Sequence, residues 1–158
     1  RVLPAGPTII DTMANSAFYY GTLRMLAQED RPVWTRMSFA AAEDNFLAGA
    51  REGIDARLFW PGRGEIPATE LVLRHLLPLA HEGLRQWGVS DTVRERYLSI
   101  IEGRCLTGLN GASWQTEAVR RLEARGLARP DALHEMLVAY SRNMEDNVPV
   151  HTWELPSQ

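Results

Sequence analysis

Apolar residues spaced at the helical period, in runs cut by proline and glycine, most restrict what this chain can fold into. From Pro7 to about Gln28, Ile9, Ile10, Met13, Ala17, Tyr20, Leu23 and Ala27 recur at intervals of three and four, which places them along one side of a helix. Pro7 suits the first turn, and the spacing predicts a long, largely buried helix. Pro32 pushes the residue before it out of the α region and so ends that run at Glu29-Asp30-Arg31. A second helix is expected from Ser38, a good N-cap, to Gly53. The next segment reads as a short hairpin or an extended loop, because Ala56-Arg57-Leu58-Phe59-Trp60 and Glu65-Ile66-Pro67 flank the turn residues Pro61-Gly62-Arg63-Gly64.

A third helix is expected from about Ala68 to Trp87, with Gly88 as its stop. Pro78 removes the bond to the Arg74 carbonyl, which predicts a kink or a break into two helices. Ser90 opens a fourth helix to about Cys105, residues 106–111 form a turn, and a fifth runs from Ala112 to Arg125 before Gly126. Pro130 opens a sixth that reaches about Asn147. The tail Val148–Trp153 reads as extended. The expectation is one mainly α domain over residues 1–158, with about six helices in an orthogonal or bundle-like array and one short β-hairpin or extended loop near 56–67. No internal repeat is present.

A chain of 158 residues and 17.8 kDa buries about two-thirds of its unfolded surface on folding, enough for a real core. Net charge is −3, and the basic residues are scattered, which argues against a nucleic-acid partner. All 17 basic residues are Arg. The absence of Lys excludes a P-loop lysine, a Schiff-base lysine and a Ser-Lys dyad. Cys105 is the one cysteine, so no intramolecular disulfide or Cys-rich zinc site is available and a cytoplasmic setting is expected. No apolar run reaches the length of a membrane span. Arg1 is followed by no secretory apolar region, and since the chain does not begin with Met, a fragment is expected.

Few residues point to chemistry by themselves. His75 and His81 would face different sides of one helix, and His134 and His151 lack partners at ligand spacing, so no metal site is expected. Ser38, Ser90 and Ser113 stand at expected helix starts, where capping accounts for them, and no G-x-S-x-G elbow exists. Cys105 reads as a small buried hydrophobe. Phe18, Tyr19, Tyr20, Trp34, Phe39 and Phe46 read as core. Glu43 and Asp44 read as solvated helix-surface acids.

The second helix stands apart. Asn45 and Arg51 lie about 120° apart around its axis with Ala48 midway, so a short side chain leaves a notch between two strong polar groups. Arg51 offers a planar fork for carboxylate or phosphate oxygens, and Asn45 supplies a donor and an acceptor. The structural alternatives for Arg51 are an ion pair with Asp44 or bonds to the last carbonyls near Gly53.

These residues resemble a known family. An apolar helix with Pro7-Thr8 at its start, then Asp44-Asn45-x-x-x-x-Ala50-Arg51-x-Gly53-Ile54-Asp55, is similar to the C-terminal helical half of the bacterial glutamate–cysteine ligase family of carboxylate–amine ligases. Leu76-Leu77-Pro78-Leu79-Ala80, Gly83, and Gly108-x-Asn110-Gly111-Ala112 leading to Trp114-Gln115 follow in the same order, so the likeness spans about Arg1 to Gln115. It implies a ligase in which Mg²⁺-bound ATP phosphorylates a glutamate side chain and an amine then attacks the acyl phosphate. In such enzymes the metal-binding carboxylates lie on an antiparallel sheet that precedes this region, so an upstream sheet of the same polypeptide is the implied partner. This part alone would then be inactive and hold neither ATP nor Mg²⁺ tightly. The resemblance carries over three ligand-binding candidates, Arg1, Asn45 and Arg51, and no catalytic or metal-binding residue. Leu47 and Ala48 stand where the commoner family form has Trp and Arg. The alternative is an autonomous helical interaction or dimerisation module, with no role for nucleic acid or membrane in either reading.

Overall fold

The structure is a computed structural model that describes residues 5–157. Helix α1 spans Ile9–Leu26, and Thr8 caps it by accepting the Asp11 N–H at 3.1 Å. It lies against α4 (Leu77–Gln86) and α5 (Asp91–Thr107). Ala14, Leu77, Ala80, Leu84, Leu98, Ile100 and Ile101 form the core between them. Gly21 and Gly83 meet backbone to backbone where α1 crosses α4.

The proline in the middle of the third expected helix is accommodated without a break. Helix α3 (Ala68–Leu71) passes through a π-helical turn at Val72–Leu76 directly into α4. Pro78 thereby falls in the first turn of the resumed helix, where a missing N–H is tolerated. Counting this run once, six helices and a single two-stranded hairpin make up the described residues.

Helix α6 (Gly111–Ala124), α7 (Arg129–Glu145) and the tail enclose a second core. Trp114, Ala118, Val150 and Trp153 are buried there, with Tyr140 packed edge-on to Trp153. The tail is not extended as its sequence suggests. A 3₁₀ turn at Val150–Thr152 sets both Val150 and Trp153 inward. The indoles hold it there: Trp114 donates to the Glu154 carbonyl at 3.2 Å and Trp153 to that of Val148 at 2.9 Å.

Helix α2 (Phe39–Glu52) is capped by Ser38 and stopped by Gly53 at φ +59°. It packs on β1 (Arg57–Trp60), which pairs antiparallel with β2 (Gly64–Pro67). This hairpin is too small to cover the helix. Trp34, Phe39 and Phe46, read as core from sequence, are 78%, 83% and 75% exposed. Helix α1 is likewise not largely buried: with its main partners on one side, it presents Ile9, Met13, Tyr20 and Leu23 to the surface. Among the described residues no helix is long and apolar enough to cross a membrane.

Candidate functional site

The turn between α5 and α6 is held by its own side chains. Gly108 leaves α5 in the left-handed region at φ +70°. The Asn110 carboxamide oxygen accepts from the N–H groups of Ala112 and Ser113, both at 2.9 Å. The Ser113 hydroxyl accepts the Asn110 N–H at 2.8 Å, completing a capping box. Asn110, rather than Ser113, is therefore the cap, and Ser90 makes no side-chain capping bond. The Asn110 NH₂ group remains, and it faces the end of α2, 4.0 Å from where a Cβ on Gly53 would stand.

Two cavities flank this junction. One, of about 490 Å³, is bounded by Arg51, Gly53 and Asp55 on one side and Asn110, Ser113 and Glu117 on the other. The second, of about 570 Å³, runs beneath Gly49 to Asn15, Arg104, Gln115 and Tyr140. Arg51 is exposed and forms neither of its structural alternatives: among the described residues it has no ion pair or hydrogen bond. Glu117 is engaged by Arg120 and Arg121, whose hydrogen bonds hold its carboxyl down at about 2.

Asn45 is placed differently. Its carboxamide accepts the Phe59 N–H at 2.7 Å and donates to the Phe59 carbonyl at 2.8 Å, as a neighbouring strand would. The amide ties β1 to α2, lies away from both cavities, and leaves Arg51 as the candidate that lines one. Asn45→Ala should lower the unfolding free energy by about 1–3 kcal/mol, because two partly buried backbone groups lose their partner. Denaturant titration measures this, and an unchanged midpoint would mean that the hairpin does not depend on Asn45. Arg1 lies outside the described residues.

Sequence reasoning missed the most buried polar group of the fold. The Asp11 side chain is wholly buried and paired with Arg104 at 2.6 Å. The same carboxylate accepts from the Thr8 hydroxyl at 2.8 Å and from the Val150 N–H at 3.2 Å. Arg104 also donates to the Asn15 carboxamide oxygen at 2.7 Å. Thr8-x-x-Asp11 is a recognisable capping pattern, whereas Arg104 lies 93 positions away with no marker in its surroundings. Around this pair, burial and then the Asp11 charge raise the Tyr140 phenol above its ordinary value. Burial, aided by Arg104 and opposed by Asp11, lowers His151. Burial also raises the Cys105 thiol above its ordinary value.

Among the described residues no three His, Cys, Asp or Glu side chains gather into a group that could hold a metal. Compared with known proteins, the chain matches no family model, no curated protein and no solved structure.

Proposed function

We propose that this chain is the helical portion of an ATP-dependent carboxylate–amine ligase of the glutamate–cysteine ligase type, inactive without a preceding sheet. The observation that carries this reading is the meeting of two motif stretches more than fifty positions apart. The end of α2, with Arg51 and Gly53, and the Gly108–Ala112 turn line one cavity, into which an unpaired guanidinium is free to reach. In the proposed reaction a carboxylate oxygen takes the γ-phosphoryl group and ADP leaves. An amine then attacks the acyl carbon, losing a proton as phosphate departs. Arg51 would hold anionic oxygens of the substrate or the phosphoryl group. Among the described residues no group of side chains suits Mg²⁺, and in this reading its ligands and the phosphoryl step lie on the proposed sheet.

In the intact polypeptide, Arg51→Ala should reduce turnover about a hundredfold, the scale of losing one charge-stabilising donor, with the unfolding midpoint unchanged. A variant that changes stability alone removes Arg51 from the site. The chain of 158 residues mixed with ATP, Mg²⁺, glutamate and cysteine should release no ADP, and turnover there would refute the reading of it as an inactive part of a larger ligase.

The exposed α1 stripe favours a second reading, an autonomous module that dimerises through Ile9, Met13, Tyr20 and Leu23. Within the ligase reading the upstream sheet covers that stripe. Sedimentation of the isolated chain tests the module: association that grows with concentration supports it, and a monomer at every concentration rejects it.

A further inference from the structure

We infer that the cavity of about 570 Å³ beneath Gly49 binds an uncharged, planar group that both donates and accepts hydrogen bonds, the chemistry shared by nucleobases and carboxamides. This does not rest on the ligase reading, since neither phosphoryl nor acyl transfer enters it. The volume lies within the roughly 300–1,000 Å³ of small-molecule sites.

Charge selects the class. The cation at this wall, Arg104, is already balanced by Asp11 and further bonded to Asn15. An anion entering here would have to compete with a buried carboxylate that is better placed than itself. Arg51, unpaired among the described residues, lines the neighbouring cavity instead. Apart from the buried Arg104 Nε, which has no partner among the described residues, the groups that remain are neutral. The Tyr140 hydroxyl forms no hydrogen bond among the described residues and is both donor and acceptor. Gln115 donates its NH₂ to the Gly111 carbonyl at 3.0 Å, which leaves its oxygen as an acceptor. Asn110 lines the wall as well, with its NH₂ group turned toward the end of α2.

Shape selects planarity. Gly49 and Gly111 line the cavity without side chains. Gly111 has a packing reason, since a Cβ there would stand 2.8 Å from Pro7 Cγ and 3.8 Å from the Tyr140 oxygen. Gly49 has none. It lies inside α2, where glycine is less favourable than alanine by about 1 kcal/mol, and a Cβ there meets nothing within 4 Å. Bare backbone beside open space suits close approach by a flat ligand.

The test is calorimetric titration of the chain with adenosine and with nicotinamide, using acetate and inorganic phosphate as charged controls. Saturable binding of either neutral probe is expected, and the tighter one separates the nucleobase from the carboxamide. Gly49→Leu should weaken binding at least tenfold while the unfolding midpoint holds or rises. Tyr140→Phe, which keeps the ring against Trp114 and Trp153, should weaken it about fivefold, the scale of one hydrogen bond. The inference is overturned if neither neutral probe binds, if acetate or phosphate binds more tightly, or if both variants bind like the parent chain.

Discussion

Asp11→Ala is expected to remove about 3–5 kcal/mol of unfolding free energy, the scale measured when one member of a buried ion pair is deleted. The Arg104 guanidinium, with its side chain 12% exposed, would keep its charge without the carboxylate that balances it. The Thr8 hydroxyl and the Val150 N–H would lose their acceptor at the same time. For a chain of this length each kcal/mol moves the melting temperature by about 2–4 °C, so a fall of roughly 6–20 °C should appear by calorimetry. Pairing Asp11→Leu with Arg104→Leu should cost less than the two single changes added together, since no unbalanced charge is then left. A fall of under 2 °C for Asp11→Ala would mean that the pair does not hold the fold.

That pair also explains why the tail belongs to the site. Asp11 is on α1, Arg104 on α5 and Val150 in the tail turn, so one carboxylate joins three segments distant in sequence. The His151 ring lies over Gly103, where any side chain would collide with it. Tyr140, held by Trp114 and Trp153, completes the cavity wall.

What could be read in advance followed the range of the interaction. Helices α1, α2 and α5–α7 were legible because their periodicity and stops are local: Thr8 and Ser38 lie beside the helices they cap. Pro78 was legible as an interruption, but the π-helical turn that absorbs it is a matter of register in the preceding turn. Trp34, Phe39 and Phe46 were misread because apolar character does not say whether another element covers it. Asn45 and Arg51 both read as ligand candidates in the sequence, and only the contact with Phe59, fourteen positions on, shows the Asn45 amide to be occupied. The Asn110 NH₂ group and the Asp11–Arg104 pair depend on how helices cross, and no local pattern encodes that.

The crossing of α1 and α4 gives the second large effect. Gly83→Val should destabilise by about 3 kcal/mol, at the upper end of overpacking costs, against the ordinary sign for removing glycine from a helix, which is stabilising by up to about 1 kcal/mol. A Cβ on Gly83 would run into the Gly21 carbonyl, and one on Gly21 into the Ala80 main chain. Both obstacles are backbone, so relief requires the helices to separate rather than a side chain to turn. Separation would strain the Thr22 hydroxyl bond to the Leu76 carbonyl, 3.4 Å long, and loosen Ala14 and Ala80 in the core. Gly49→Ala supplies the control, because it changes glycine inside a helix where the Cβ meets only open space. Thermal unfolding should place Gly83→Val well below the parent chain and Gly49→Ala at or above it. Equal or opposite shifts would show that α1 and α4 do not touch through their glycines.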